Sequence, residues 1–399
     1  MTSLLIGTVA IATGADGVDE FIRRHWRAPI APQGPAPERF TSTEASLSPE
    51  ACGTCHAAQL GDWKTSLHAK SMGAGVAGQL ADMLHADPRS AATCYRCHAP
   101  LAEQTPFTRG PAGLEPNPVY DASLGSHGVV CAGCHVRAHE RFGPPRRDGS
   151  LASAAPRDTL PHGGVTRTPA FLKSEFCRSC HQFEPNEYRV NGKLLEDTYN
   201  EWKSSRFARE GVHCQDCHMP DRRHLWRGIH DPDMVRSGVT ISVTPRESRL
   251  RRGRTADVTL TIRSTRVGHA FPTYVTPRVV VSAELVDANG EPIPGSRVER
   301  TIERAVETDL SREIRDTRLR PGGAMSLAYR RRVDTEAAHL RLRVVVEPDA
   351  FYTRFFETVL KENIAEMGAG RGRERIEAAL AETRTSPFTL WERDLRVER

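Results

Sequence analysis

Hydrophobic and polar residues alternate along the second half of this chain of 399 residues. From about residue 237, β-branched residues alternate with polar ones in four segments, SGVTISVTP, ADVTLTIRS, PRVVVSAELVD and HLRLRVVVEP. Period-two alternation is typical of strands that bury one face. The segment DANGEPIPG contains Asn289-Gly290, a pair that favours a hairpin turn. We therefore predict an antiparallel β-sandwich of immunoglobulin-like type over residues 237–348.

The pattern becomes helical after the last of these strands. The segment FYTRFFETVLKENI places five apolar side chains on one helical face, namely Phe351, Phe355, Phe356, Val359 and Leu360. The segment RGRERIEAALAETR continues with residues that favour helices. We predict a C-terminal helical extension over 349–399, which packs on one of the domains or docks a partner.

The first half shows little apolar periodicity. Residues 1–45 are rich in Pro and Ala and indicate a leader and linker. Within them, LLIGTVAIA at 4–12 resembles the apolar region of a secretory signal, although no Lys or Arg precedes it. It is therefore either a signal remnant or an ordinary chain end. Residues 46–236 contain too few regularly spaced apolar side chains for a thick protein core.

Charge and hydropathy narrow the classes of partner. The chain has 55 basic and 50 acidic side chains, a formal net charge of +5, and no long basic run. This mild balance gives no indication of nucleic-acid binding. No apolar stretch approaches the roughly 20 residues of a membrane-spanning helix. We expect membrane association only if an N-terminal anchor is missing from this sequence.

All ten cysteines fall in five copies of one pattern, C-x-x-C-H, between residues 46 and 236. The copies are CGTCH (Cys52, Cys55, His56), CYRCH (Cys94, Cys97, His98), CAGCH (Cys131, Cys134, His135), CRSCH (Cys177, Cys180, His181) and CQDCH (Cys214, Cys217, His218). Two thiols at this spacing can form thioethers with both vinyl groups of one porphyrin. The histidine that follows then lies under the ring as the proximal ligand of the iron.

Zinc, disulfides and thioredoxin-like redox pairs account for the cysteines less well. Structural zinc uses two such pairs per metal, so five pairs leave one over, and zinc does not require a histidine after every pair. Disulfides within each pair would close very small loops. Thioredoxin-like pairs do not occur five to a chain without βαβ units. The sequence therefore predicts five covalent c-type haems, which supply apolar volume to a pentahaem domain over residues 46–236.

Low-spin iron needs a second axial ligand, and His–His ligation is favoured because the methionines share no repeated setting. His68 is the strongest candidate, because DWKTSLHA at 62–69 aligns with EWKSSRFA at 201–208, where Phe207 replaces the histidine. The shared tryptophans indicate a packing device beside a porphyrin. The other distal candidates are His162, His224, His230 and His269.

The remaining histidines are weaker candidates. His127, His139 and His213 flank motifs, whereas His25, His85 and His339 are expected at the surface. Five distal ligands can be found among these histidines. Four ligands and one open iron are equally compatible with the sequence.

The motifs and their flanking segments resemble a known family. CGTCH…DWKTSLHA, GVVCAGCH, SEFCRSCHQF, TYNEWKSSRFAREGVHCQDCHMP and HLWRGIH are similar to segments of multihaem c-type cytochromes related to tetrahaem cytochromes and hydroxylamine oxidoreductases of nitrogen metabolism. GHAFPTYVTPR resembles part of a C-terminal β-domain appended to many of them. The resemblance implies closely packed, mostly bis-histidine haems, and it supports the distal candidates above. The chain has no C-x-x-C-K motif and only five haem motifs rather than eight, which weakens an enzymatic interpretation.

These observations predict an α+β protein, with a loop-rich helical domain organised by haem, then the β-sandwich and the helical extension. The expected function is electron transfer between redox proteins in the periplasm or another extracytoplasmic space, with oligomers possible. The alternative is a multihaem oxidoreductase in which one open iron acts on a small nitrogen or sulfur compound. The Arg- and His-rich segment at 137–162 could line such a site, or its charges could balance haem propionates.

Overall fold

The structure is a computed structural model that describes residues 15–110, 113–153, 155–245 and 249–398. The signal-like segment at 4–12 lies outside the described residues. The chain divides into two compact units. The first comprises the described part of Met1–Met72 together with Pro88–Cys180 and His213–Leu225, and the second comprises Gly73–Asp87, His181–Val212 and the described part of Trp226–Arg399.

The helices of the described residues are mostly short in the part of the chain that carries the motifs, and the longest have 13 residues each. In chain order they are α1 (Ala15–His25), α2 (Ser42–Ala45), α3 (Pro49–Gly53), α4 (Ala57–Thr65), α5 (Ala74–Ala86), α6 (Pro88–His98), α7 (Ala122–Gly125), α8 (Cys131–His135), α9 (Arg178–His181), α10 (Thr198–Lys203), α11 (Arg206–Arg209), α12 (Cys214–His218), α13 (Pro232–Gly238), α14 (Ala350–Glu362) and α15 (Arg373–Thr385). Single 3₁₀ turns lie at Ala102–Gln104, Arg157–Thr159, Pro161–Gly163, Pro169–Leu172, Ser174–Phe176, Pro220–Arg222 and Ala365–Met367.

The strands are short before residue 195, and most of them are longer after residue 238. They are β1 (Phe107–Gly110), β2 (Gly113–Pro116), β3 (Val136–Arg137), β4 (Glu140–Gly143), β5 (Thr166–Arg167), β6 (Arg189–Val190), β7 (Lys193–Leu194), β8 (Val239–Thr244), β9 (Leu250–Arg251), β10 (Thr255–Ser264), β11 (Arg278–Val286), β12 (Val298–Val306), β13 (Glu313–Asp316), β14 (Ala324–Arg332), β15 (His339–Glu347) and β16 (Phe388–Glu398).

In the first unit, helix α1 packs on the 3₁₀ turn at Pro169–Leu172. Its residues Phe21, Ile22 and His25 share one helical face and contact a small aromatic cluster. This corrects two predictions, because part of the expected leader and linker is a packed helix and His25 is buried, with 3% of its surface exposed. The spacing of these three residues forms the packed face of the helix, and the aromatic residues that cover His25 come from distant parts of the chain.

The second unit contains two sheets that share one apolar core. The smaller sheet has the order β14-β10-β8 and the larger has the order β13-β12-β11-β15-β16-β9. Neighbouring strands are antiparallel except β9 and β16, which are parallel. Buried side chains of both sheets form one cluster, to which the inward residues of β10, β11 and β15 contribute Val258, Leu260, Ile262, Val279, Val281, Leu342 and Val344. All four segments predicted as strands are strands in the structure.

The C-terminal helices pack within the second unit. Helix α14 buries Phe351, Phe355, Phe356 and Val359, as the helical pattern predicted. Helix α15 packs against both α14 and α5. Helices α5 and α15 approach each other closely, since a Cβ added to Gly78 of α5 would lie 2.8 Å from Ile376 Cδ1 of α15.

Two predicted boundaries differ from the structure. The extension over 349–399 is not helical throughout, because Phe388–Glu398 forms strand β16 and pairs with β15. Its buried residues Leu390, Leu395 and Val397 give it the pattern of an alternating strand at its end. The division near residue 236 also differs, because 73–87 and 181–212 group with the C-terminal residues. In the described part of the chain, no helix is both long and apolar enough to span a bilayer.

Candidate functional site

The C-x-x-C-H motifs lie in or beside single helical turns. The second motif ends α6, the third and fifth form α8 and α12, and the first and fourth lie at the end of α3 and along α9. In the first motif, the His56 amide donates to the Cys52 carbonyl at 2.9 Å, which is an i, i+4 helical bond. Residues i, i+3 and i+4 share one face of a helix. A helical turn therefore presents both cysteines and the histidine of a motif on the same side, as covalent attachment to one porphyrin requires.

The thiols are available for thioether formation. All ten cysteines lie in the described residues, and none of them forms a disulfide there. The thiols of Cys52 and Cys131 lie within hydrogen-bonding reach, although they belong to the first and third motifs. The Cys131 thiol, as the donor, lowers the pKa of Cys52 to about 7, and the same contact raises the pKa of Cys131.

The fourth motif has thiol contacts with two others. The contact between Cys177 and Cys214, of the fifth motif, raises the pKa of Cys177 and lowers that of Cys214. The contact between Cys180 and Cys97, of the second motif, raises the pKa of Cys180. The attachment points thus approach one another across motifs that are far apart in the sequence.

The rings of two motif histidines have the orientation expected of iron ligands. The Nδ1–H of His98 donates to the Ser71 carbonyl at 2.7 Å, and that of His135 donates to the Phe142 carbonyl at 2.8 Å. Such an outer partner fixes the tautomer in which Nε2 can bind a metal. Burial lowers the pKa of both residues, that of His135 to about 4, which keeps the imidazoles neutral. These motifs fit haem.

The two aligned W-K-x-S segments make equivalent contacts. Trp63 is buried and its Nε1–H donates to the Val129 carbonyl at 2.8 Å. Trp202 is buried and donates to the Val212 carbonyl at 2.9 Å. Val129 and Val212 each lie two residues before the first cysteine of a motif. Each segment therefore fastens the residues that lead into a motif, and the position of either tryptophan beside a porphyrin stays a prediction.

The equivalence extends to the position of the predicted distal ligand. The Val129 amide donates to the His68 carbonyl at 2.8 Å, and the Val212 amide donates to the Phe207 carbonyl at 2.9 Å. His68 and Phe207 therefore occupy the same place in the two copies. The half-buried His68 sits in a turn directly after α4. If His68 is an axial ligand in the first copy, the second copy has Phe207 rather than a histidine at the equivalent position.

Two other distal candidates lie near motif histidines in the first unit. The His224 ring is centred 6.2 Å from the His135 ring. Burial is the main cause that lowers the pKa of His162 and of His224, and the proximity of the His56 imidazole contributes at both residues. The backbone amide of His162 donates to Glu44 at 2.6 Å. The structure thus brings His56, His135, His162 and His224 into one neighbourhood.

The last two distal candidates lie in the second unit. His269 is in the connection between β10 and β11, and its Nδ1–H donates to the Ala270 carbonyl at 2.8 Å. Its neighbour Gly268 packs on the second copy, since a Cβ there would lie 3.6 Å from Phe207 Cβ. His230 is exposed, and its Nε2 lies 3.0 Å from the Asp349 carboxylate. Ligation by either residue stays a prediction.

The weaker candidates occupy varied settings. The ring nitrogen of buried His139 contacts the Gly34 carbonyl at 2.9 Å, and that of His25 contacts the Cys134 carbonyl at 2.8 Å. Both use Nε2 rather than Nδ1, unlike His98 and His135. His127 donates through Nδ1 to Ser123 and stacks beside Trp63, whereas His213 lies near Lys173 and Ser174. His85 is exposed and His339 is half-buried in β15.

A polar group around the fourth motif histidine was not predicted from the sequence. His181 Nδ1 lies 2.8 Å from Tyr274 Oη, and Tyr274 also contacts the carboxyl of Glu196. Burial raises the pKa of Glu196 to about 8 and raises the pKa of Tyr274 well above its ordinary value. Tyr274 lies within GHAFPTYVTPR, a segment whose sequence resembles that of multihaem cytochromes. The contact between Tyr274 and His181 was not visible in the sequence.

Comparison with known proteins gives two matches. The family described as "Cytochrome c554 and c-prime" matches residues 51–136, which contain the first three motifs. The penta-heme cytochrome c552 from Thermochromatium tepidum has a similar solved structure, with a TM-score of 0.59 and 18% sequence identity, covering 87% of this chain and 98% of that one. No curated protein matches. The structural likeness concerns the fold, and together the two matches support a multihaem c-type cytochrome with a mixed helical and sheet fold.

Proposed function

We propose that this chain binds five c-type haems covalently through its ten motif cysteines and carries electrons between redox proteins outside the cytoplasm. His56, His98, His135, His181 and His218 are the proximal ligands in this proposal, and His68, His162, His224, His230 and His269 are the distal candidates. Each bound haem would supply an iron that gains and loses one electron. The two C-terminal sheets form an immunoglobulin-like sandwich in this proposal, comparable to the β-domains appended to related cytochromes.

The approach of thiols from different motifs is the observation that carries the proposal. The first motif meets the third, and the fourth meets both the second and the fifth. Porphyrins attached at these sulfurs would be near neighbours, which suits electron exchange without any catalytic side chain. The fourth motif approaches two other motifs, so a haem attached to it would have two near neighbours.

A spectroelectrochemical titration of the purified protein tests this function. Five one-electron transitions are expected, together with low-spin signals in the electron paramagnetic resonance (EPR) spectrum of the oxidised protein. His–His ligation predicts lower potentials than Met–His ligation. A protein without redox-active haem would contradict the proposal.

Phe207 favours a second candidate, an oxidoreductase with one open iron. Phe207 occupies the place that His68 has in the first copy, so one iron lacks the equivalent ligand. His269 is the nearby candidate that could replace it, because Gly268 packs on Phe207. The oxidoreductase predicts a high-spin EPR signal from one iron in five and binding of nitrite, hydroxylamine or sulfite.

The substitution Phe207→His separates the two candidates. If one iron is open beside Phe207, the variant should convert its high-spin signal to a low-spin one, whereas Phe207→Leu should leave it unchanged. If His269 already fills the position, the unsubstituted protein has no such signal, and the electron carrier is supported.

A further inference from the structure

His181 differs from His98 and His135 in the group that its ring contacts. His98 and His135 donate from Nδ1 to backbone carbonyls, whereas His181 Nδ1 lies 2.8 Å from the side-chain oxygen of Tyr274. Because Nε2 is the nitrogen that binds the iron, Nδ1 carries the proton and the tyrosine oxygen accepts it. The partner of this histidine is therefore a side chain that a single substitution can remove.

The hydroxyl proton of Tyr274 has a defined acceptor. It is donated to the carboxyl of Glu196, which also accepts from Thr198 Oγ1 at 2.8 Å. Thr198 Oγ1 in turn lies 2.7 Å from Thr273 Oγ1. A hydroxyl that donates its own proton becomes a better acceptor, since linked hydrogen bonds polarise one another. The contact to His181 is strengthened in this way.

The loop that carries Tyr274 is held in place by further contacts within the second unit. Glu201 Oε2 accepts from the Ala270 amide at 3.0 Å and from Thr273 Oγ1 at 2.9 Å. Arg318 donates to the Thr273 carbonyl at 2.8 Å and to Glu201 at 3.0 Å. Because Glu201 belongs to helix α10, these bonds hold the backbone beside Tyr274 against this helix. They thereby fix the position of the Tyr274 hydroxyl.

We propose that Tyr274, supported by Glu196, is a positioning residue that lowers the reduction potential of the iron bound by His181. A stronger acceptor at Nδ1 makes the imidazole more basic, and a more basic ligand favours the oxidised iron. The inference rests on the proposed function, because it requires haem at the fourth motif. It assigns to a residue of the β10–β11 connection a role in setting one potential among five.

The test is a potentiometric titration of the full-length haem-loaded protein and its Tyr274→Phe variant at one pH. We expect one of the five transitions to move upward, with at least a tenfold fall in the ratio of oxidised to reduced iron at a fixed potential, which corresponds to about 59 mV for one electron. One low-spin EPR signal should change with it. Tyr329→Phe is the matched control, because the buried Tyr329 hydroxyl has no hydrogen-bond partner in the described structure.

A second variant keeps the inference testable if Tyr274→Phe does not fold. Glu196→Leu keeps Tyr274 but removes the acceptor of its proton, and we expect an upward shift of the same transition that is smaller. Unchanged potentials in both variants, or equal shifts of all five, would overturn the inference. The proposed function fails separately, if mass spectrometry finds no haem on the fourth motif of the unsubstituted protein.

Discussion

Arg304 on strand β12 provides a sharp test of how the second unit is held together. Its side chain is 1% exposed, and it donates to Glu313 Oε2 at 3.0 Å. It also donates to the Leu194 carbonyl at 2.5 Å and the Val190 carbonyl at 3.1 Å. A single guanidinium therefore fastens the β6–β7 hairpin to the larger sheet.

The substitution Arg304→Met should remove these bonds while keeping an unbranched side chain of similar length. Loss of one partner from a buried ion pair typically costs about 3–5 kcal/mol in the free energy of unfolding. Glu313 retains Lys193 at 2.9 Å and Asn191 at 3.2 Å, so we expect the lower end, about 3 kcal/mol. For a domain of this size that loss lowers the unfolding temperature by roughly 6–12 °C.

Differential scanning calorimetry of the full haem-loaded protein measures this loss. Arg330→Met is the matched control, because the Arg330 and Asp257 side chains are 73% and 61% exposed and pair across the smaller sheet. An exposed pair of this kind contributes about 0–1 kcal/mol. Equal losses in the two variants would refute the reasoning that burial gives the Arg304 contacts their strength.

Three further changes have expected outcomes. The pKa of Glu196 is raised from 4.5 to about 8 by burial, so the folded state holds this proton more tightly than the unfolded state does. The contribution of Glu196 to stability is therefore greatest below pH 4.5 and is lost as the pH rises to about 8, and Glu196→Gln should remove this part of the pH dependence in denaturant titrations. Trp63→Phe leaves the Val129 carbonyl without its donor, which should cost about 1–3 kcal/mol and speed hydrogen exchange just before the third motif. Asp82→Ala removes the acceptor for the Arg371 and Gly372 amides and should lower the unfolding temperature, whereas Asp82→Asn should do so less.

The sequence predicted those strands that are richest in β-branched and other apolar residues. β8, β10, β11 and β15 carry β-branched residues on the inner face, and their pattern was sufficient. β12 and β14 contain many charged residues, as in VERTIERAV and AMSLAYRRR, and Glu303 and Arg304 of β12 are buried, so the alternation of these strands is less visible. β16 follows two helices, and nothing local to it shows that it returns to pair with β15.

The site was predictable where chemistry depends on local spacing. The C-x-x-C-H motifs and the W-K-x-S repeat are local, so the sequence revealed both. The partner of His181 is not local, because Tyr274 is separated from it by 93 residues. His25 was misplaced for a similar reason, since the aromatic residues around it, among them Phe142 and Phe176, come from distant parts of the chain.

The mass of the intact protein, measured together with its pyridine haemochrome spectrum, tests the central claim most directly. The expected mass is that of the polypeptide plus five haems, with an absorption band typical of two thioethers per haem. Peptide mapping should place one haem on each cysteine pair. A colourless protein, or one with fewer than five haems after expression with a complete haem-attachment system, would contradict the proposal of five covalent haems.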